Sequence, residues 1–144
     1  MTTKPFNHYR ALICLVALAA VAACSASTSH IADLKVAKDQ AFATETTTFA
    51  PTDTIYAQAD AANLAGPVTL QWHITAVNVT GQPANSPIPA LDKSYDLPSD
   101  GSSTYSLSPP TAGWPAGTYR IEVDMMDNGQ QRDKKTADIT VSGS

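Results

Sequence analysis

Hydrophobic and polar residues alternate with a period of two in several short segments of this chain. The clearest segment runs from Val68 to Val77 and has two chemically distinct faces. One face carries Val68, Leu70, Trp72, Ile74 and Ala76, and the other carries Thr69, Gln71, His73 and Thr75. Because successive side chains of a β-strand point to opposite sides, this pattern predicts a strand with Trp72 in the core and His73 towards solvent.

Other segments rich in Val, Ile, Thr and Tyr predict further strands. They are Ala32-Leu34-Val36, Thr54 to Ala61, Thr104 to Ser108, Tyr119 to Met125 and Thr136 to Val141. Asp127-Asn128-Gly129 supplies residues that accept the positive φ of a tight turn. The segment 81–98 contains four prolines and is predicted to be loop or edge strand. The fold class is therefore predicted to be all-β, an immunoglobulin-like antiparallel β-sandwich of about seven strands.

The N-terminal segment has a different character and is set aside from fold reasoning. Lys4 and Arg10 precede an uncharged apolar run of 13 residues, 11–23. As a helix this run would be roughly 20 Å long, which is short for a bilayer core of ~30 Å. The run ends in Val21-Ala22-Ala23-Cys24, which resembles the lipobox of bacterial lipoproteins. The resemblance implies cleavage before Cys24 and acylation of its thiol.

An ordinary secretion signal with a chance cysteine is the alternative interpretation. The cysteine count favours the lipoprotein, because Cys14 would be removed with the signal and Cys24 would otherwise remain as an unpaired thiol in an oxidising compartment. Two or three acyl chains on one residue give a stable membrane anchor. Ser25 follows the cysteine, and by resemblance to the lipoprotein sorting rule this favours the periplasmic face of the outer membrane.

These observations divide the chain into three parts: a signal peptide at 1–23, a lipidated flexible stalk at 24–30 that begins with small polar residues, and a β-sandwich domain at 31–144. Loss of Lys4 and Arg10 leaves seven basic and 13 acidic residues, a net charge of −6. An acidic balance suits solubility and argues against a nucleic-acid partner.

Two motifs strengthen the sandwich prediction by resemblance. The segment 113–123, Gly-Trp-Pro-Ala-Gly-Thr-Tyr-Arg-Ile-Glu-Val, resembles the turn and penultimate strand of bacterial immunoglobulin-like and fibronectin-type extracytoplasmic domains. The segment 49–57, Phe-Ala-Pro-Thr-Asp-Thr-Ile-Tyr-Ala, resembles their second strand. The cysteine pair of antibody domains is absent, so Trp72 has no disulfide to pack against.

Candidate ligand residues are few. His73 lies on a polar face, and the other histidine of the mature chain, His30, falls in the stalk, so a solvent-facing role is expected for His73. Asp124, Asp127, Asn128 and Asp133 cluster around the predicted hairpin and raise the question of Ca²⁺ binding. Their spacing differs from that of a calcium loop, and turn formation with solvated charge is the expected role.

No catalytic motif is present. The chain has serines but no G-x-S-x-G element and no matching His and Asp set. Asp92, Asp96 and Asp100 are expected to be solvated loop residues, and Trp114 is expected to close the edge of the core rather than to contact a ligand. No catalytic residue, metal ligand or cofactor is predicted.

The expected function is that of a lipid-anchored, non-catalytic envelope protein that binds a protein, a glycan or another envelope component. The Pro-rich segment 81–98 and the hairpin 127–133 are the expected contact surfaces. A structural or assembly role through a sheet edge is the alternative, and an enzyme comes third. An exposed apolar edge strand would favour assembly, whereas edges guarded by Lys and Pro would favour the binding module.

Overall fold

The computed structural model describes residues 28–143, and these residues form nine β-strands and one 3-10 turn. The strands are β1 (His30–Ala37), β2 (Thr48–Phe49), β3 (Ile55–Ala62), β4 (Val68–Val79), β5 (Ser86–Pro87), β6 (Lys93–Leu97), β7 (Gly101–Leu107), β8 (Gly117–Asp127) and β9 (Gln130–Val141). Pro89–Leu91 forms the 3-10 turn. Within residues 28–143, no helix is both long enough and apolar enough to cross a membrane.

The strands are arranged in two sheets. The smaller sheet has the order β1-β3-β7, and the larger has the order β2-β9-β8-β4-β5, with β6 also pairing with β4. Neighbouring strands are antiparallel except for β2, which runs parallel to β9. Seven strands have five or more residues, and β2 and β5 have two each. The predicted immunoglobulin-like sandwich of about seven strands is confirmed.

The predicted faces of β4 are also confirmed. Buried and partly exposed residues alternate from Val68 to Ala76, and the side chain of Trp72 is 0% exposed. The same alternation runs along β3 and β8. In β9, Ile139 and Val141 are buried, while Ala137 is partly buried and packs on the core. Alternation identified these strands because the direction of a strand side chain depends on local geometry alone.

The first strand departs from simple alternation. The register of β1 against β3 shifts between Ile31 and Asp33, which indicates a β-bulge. A bulge places two residues opposite one and changes which side chains point inward. As a result Ile31 is buried and Ala32 is exposed, so the alternating series Ala32-Leu34-Val36 does not mark one buried face.

The tight turn between β8 and β9 forms where it was predicted. Asn128 and Gly129 separate the two strands and have φ angles of 50° and 77°. Positive φ at both central residues is the geometry of a type I′ turn, whose twist matches that of the flanking strands. The Pro-rich segment 81–98 consists of loop, the 3-10 turn and the short edge strands β5 and β6, as expected from its prolines.

Trp72 lies between the two sheets and contacts Tyr105 of β7. The ring centroids are 5.6 Å apart and the planes are inclined by 49°, within the range of favourable aromatic pairs. Both cysteines of the chain, Cys14 and Cys24, precede the described residues, so no disulfide joins the sheets. Packing between the two sheets at Trp72 therefore involves the ring of Tyr105 rather than a disulfide.

Tyr119 at the start of β8 forms the corner that is typical of this fold. Its hydroxyl donates a hydrogen bond of 2.9 Å to the carbonyl of Pro115, four residues upstream, which is the arrangement called a tyrosine corner. Gly117 precedes it with a φ of 145°. A Cβ atom there would collide with the backbone of Asn78 and Val79 in β4, so the close approach of the two strands requires glycine.

Replacement of Trp72 and of His73 tests the assignment of the two faces. Trp72→Ala removes a fully buried indole and leaves a cavity, so we expect a loss of ~3–5 kcal/mol. His73→Ala alters a side chain that is 37% exposed, and we expect a change within about 1 kcal/mol. Urea denaturation midpoints of the two variants measure the difference. Equal midpoints would mean that the strand faces are misassigned.

Candidate functional site

The expected lipid attachment residue, Cys24, lies outside the described residues, as does the expected signal peptide 1–23. The stalk was expected to extend to His30, but β1 begins at His30 and pairs there with Ala62. The hydroxyl of Ser29 donates to the carbonyl of Asn63 at 3.0 Å. Ser29 and His30 therefore belong to the folded domain, because Ser29 bonds to the loop after β3 and His30 pairs with the end of β3.

The four hairpin residues considered for Ca²⁺ do not converge on one point. Asp133 accepts a hydrogen bond of 2.7 Å from the backbone N–H of Ile31. Asp127 binds Asn128 and Arg132, and Asp124 lies near Lys134. Within residues 28–143, no three His, Cys, Asp or Glu side chains are grouped so that they could hold a metal ion. Each of these residues has instead a structural partner in the hairpin or in β1.

His73 has neighbours that sequence reasoning did not anticipate. Its Nδ1 atom is 3.2 Å from a carboxylate oxygen of Asp92, and its Nε2 atom is 3.9 Å from Asp124. Glu122 and Lys134 lie beside these residues on the outer face of the larger sheet, with 3.0 Å between their charged groups. The five side chains together form a row. Asp92 is brought to β4 by the segment after the 3-10 turn, so this contact depends on tertiary structure.

The electrostatics of this row centre on Asp124. Burial raises the pKa of its carboxyl, the negative charge of Glu122 adds to the effect, and Lys134 and His73 oppose it. One carboxylate oxygen of Asp124 is buried and accepts no hydrogen bond from the described residues. Among the described residues no hydroxyl group is hydrogen-bonded to His73.

A groove at one end of the sandwich is a concave surface with mainly apolar walls. We call it the proline-aromatic groove, and its volume is about 310 Å³. It lies between the segments 82–91 and 108–115, beside the start of β8. Its walls are Gln82, Ile88, Ala90, Leu91, Ser108, Pro110, Trp114, Pro115 and Tyr119. The predicted contact segment 81–98 thus supplies one wall, and the other wall was not foreseen.

Trp114 is fixed in this groove by bonds to the loop before β3. Its indole N–H donates to the carbonyl of Asp53 at 3.0 Å, and its backbone N–H donates to the carbonyl of Pro51 at 2.8 Å. Its ring meets Tyr119 edge to face, with centroids 6.2 Å apart. Trp114 is 7% exposed, as expected for a residue that closes the edge of the core.

Asp53 in turn holds the loop that supports Trp114. Its carboxylate accepts a hydrogen bond of 2.7 Å from the N–H of Ala50 and lies 2.8 Å from the ammonium group of Lys38. The bond with Lys38 and then the bond with Ala50 lower the pKa of Asp53, and partial burial opposes them. No sequence motif pointed to Asp53, because its partners come from the segment 38–50 and from Trp114.

The opposite wall of the groove is tied to the core by Tyr105. Its hydroxyl donates to the carbonyl of Leu91, and burial raises its pKa to about 12. The hydroxyl therefore stays protonated and can donate throughout the physiological pH range. Both aromatic residues that line the groove likewise donate to backbone carbonyls. The groove consequently presents mainly apolar surface, with Gln82 and Ser108 as its polar side chains.

A second groove, of about 440 Å³, lies at the opposite end of the sandwich. Five of its ten lining residues are polar or glycine, namely Thr69, Gln71, Asp96, Asn128 and Gly129. Although this groove is larger, it has no aromatic wall and includes the tip of the β8–β9 turn. The proline-aromatic groove is the better candidate, because ligand sites are mostly apolar with a few polar groups.

The sheet edges differ in how they are protected. On the larger sheet, β6 carries Lys93 and Asp96 and is flanked by prolines, which hinder pairing with another strand. On the smaller sheet, β7 pairs with β3 on one side, and its sequence Gly-Ser-Ser-Thr-Tyr-Ser-Leu has neither charge nor proline. The β6 edge thus fits the binding module, whereas the β7 edge lacks a charge or proline but has Ser and Thr rather than apolar residues on its outward face.

Comparison with known proteins supports the β-sandwich fold. No protein-family model matches the chain, and no curated protein matches it. A solved structure of a glycosyl hydrolase family 2 member from Bacteroides cellulosilyticus DSM 14838 is similar, with a TM-score of 0.51 and 12% sequence identity. The match covers 78% of this chain but 15% of that chain. The similarity shows a shared β-sandwich fold and nothing about activity.

Asp53→Asn should make the protein less stable in a pH-dependent way. The pKa of Asp53 is lower in the folded state than its ordinary value of 3.8. The ionised carboxylate therefore stabilises the fold at pH values above 3.8, and this stabilisation is lost as the pH falls through the folded-state pKa. We expect the variant to lose about 1 kcal/mol at neutral pH and to approach the wild type in strong acid. Urea midpoints across this range measure the difference, and a constant difference would contradict the assigned role.

Proposed function

We propose that the protein is a lipid-anchored, non-catalytic immunoglobulin-like module of the bacterial cell envelope that binds a partner protein through the proline-aromatic groove. The sandwich fold is the framework for this role. The anchor is proposed from the lipobox-like sequence that ends at Cys24, and Ser25 favours the outer membrane. The binding role is proposed because the groove has mainly apolar walls and the polar groups of its aromatic residues are already hydrogen-bonded.

The groove favours the apolar side chains of a polypeptide over a glycan. Sugar recognition uses free hydrogen-bonding groups as well as aromatic faces, but the indole N–H of Trp114 and the hydroxyl of Tyr119 are already bonded to backbone carbonyls. Both rings are more than nine-tenths buried, so no full face is open for stacking. Pro110, Pro115 and Ile88 complete walls that suit an extended apolar or Pro-rich segment.

Assembly through the β7 edge is the second candidate. Strand addition requires free backbone groups along an edge with no charge or proline against it, and Gly101–Leu107 meets that requirement. The two functions use different surfaces, because the groove lies at the end of the sandwich and β7 lies along its side. Variants at each surface can therefore separate them.

Cys24→Ala tests the anchor. Because acylation of the thiol of Cys24 is the proposed step that forms the anchor, the variant should incorporate no labelled palmitate and should accumulate as an unprocessed or released form. Extraction of cells with detergent and phase separation measures the shift out of the membrane fraction. Incorporation of palmitate by the variant would disprove the assignment of Cys24.

Ala90→Arg tests the groove, with Ala84→Arg as the matched control. Both alanines are exposed in the same loop region, but only Ala90 lines the groove. When a partner fills the groove, an arginine at position 90 would be buried without a charge partner, which is costly. Ala90→Arg should therefore abolish a specific crosslink to a partner in intact cells, whereas Ala84→Arg should retain it. Loss of the crosslink in Thr104→Lys, a change on β7, with retention in Ala90→Arg would instead favour assembly through the edge.

A further inference from the structure

The chain enters the folded domain at one defined end of the sandwich. Besides its bond to Asn63, the hydroxyl of Ser29 accepts a hydrogen bond of 3.3 Å from the N–H of Ala65. Two residues later, the N–H of Ile31 donates to Asp133 of β9 at 2.7 Å. Thus the chain is held against the domain from Ser29 onward, by the loop after β3 and by the start of β9.

The loops at this end are themselves tied together. Asp100 accepts hydrogen bonds of 3.0 and 2.7 Å from the N–H groups of Asn63 and Leu64, and these bonds lower its pKa. The tip of the β8–β9 turn, Asn128 and Gly129, lies at the same end, since Thr69 near the start of β4 pairs with Met126. We call the set 63–67, 98–100 and 128–129 the entry end.

Few residues separate the entry end from the proposed anchor. Three residues, 25–27, stand between Cys24 and Thr28. Even when fully extended, the chain from Cys24 to Thr28 spans at most about 14 Å. By comparison, β4 has twelve residues and extends ~40 Å along the sandwich. The tether is therefore much shorter than the domain.

From this geometry we infer that the entry end faces the lipid bilayer and that the proline-aromatic groove is carried on the end directed away from it. The inference rests on the lipid anchor of the proposed function. The groove lies beside the end of β4 and the start of β8, at the far end of the strands from Ser29. The short tether thus presents the groove to a partner in the space beyond the membrane.

Charge does not account for this orientation. Beside the entry end, Arg132 is paired with Asp127 at 3.3 Å and Lys134 with Glu122 at 3.0 Å. Lys135 donates to the carbonyl of Ala32 at 3.0 Å, and Asp96 and Asp100 add negative charge nearby. Binding to anionic lipid requires clusters of basic residues, which this end lacks. The orientation is consequently set by the length of the tether and should not depend on anionic lipid.

Two matched cysteine variants of the acylated protein test the orientation. Ala65→Cys labels the entry end and Ala112→Cys labels the groove end, and both positions are exposed. Each protein, with Cys24 acylated, is labelled with a thiol-reactive fluorophore and inserted into phosphatidylethanolamine vesicles that contain phospholipid with a nitroxide headgroup. We expect the label at 65 to be quenched several-fold more strongly than the label at 112, with or without added phosphatidylglycerol.

Equal quenching, or stronger quenching at 112, would overturn the orientation while leaving the anchor intact. Insertion of a Gly/Ser linker of about 15 residues between Ser27 and Thr28 should remove most of the difference, because such a linker is flexible. A difference that survives this insertion would show that the tether is not its cause. Mass analysis of the N-terminal peptide is done first, and absence of acyl chains on Cys24 would disprove the proposed anchor itself.

Discussion

The contact between Trp72 and Tyr105 is the interaction on which the rest of the domain depends. It joins β4 of the larger sheet to β7 of the smaller sheet, with 5.6 Å between the ring centroids. No disulfide joins the two sheets, because both cysteines precede the described residues. The sheets are held together by buried apolar area, to which the rings of Trp72 and Tyr105 contribute, and by the hydrogen bond from Ile31 of β1 to Asp133 of β9. Burial of Trp72 between the sheets has an energetic cost, because its indole N–H is buried and has no hydrogen-bond partner among residues 28–143.

The same contact connects the core to the proline-aromatic groove. The ring of Tyr105 packs on Trp72, and its hydroxyl holds the carbonyl of Leu91 in the groove wall. On the other side, Trp114 and Tyr119 are tied to the carbonyls of Asp53 and Pro115. The groove is therefore built from loops, but each loop is fixed to a buried aromatic ring. A preformed groove of this kind loses little conformational entropy when a partner binds.

Sequence reasoning recovered the features that depend on local geometry. Alternation placed Trp72 in the core, and the Asn128-Gly129 pair marked the turn, because both signals arise from backbone conformation within a few residues. It missed the bulge at Ala32, since a bulge depends on pairing with β3. The carboxylate beside His73 and the support that Asp53 gives to Trp114 were also missed, because those partners are distant in sequence and meet only in the folded domain.

A double-mutant cycle between Trp72 and Tyr105 tests this account most directly. The free energy of unfolding is measured for the wild type, Trp72→Leu, Tyr105→Leu and the double variant, in a stabilising osmolyte so that all four proteins fold. Because the two rings are in contact across the sheets, the effects should not add, and we expect a coupling energy of ~0.5–1.5 kcal/mol. Additive effects, with a coupling near zero, would contradict the central role of this contact.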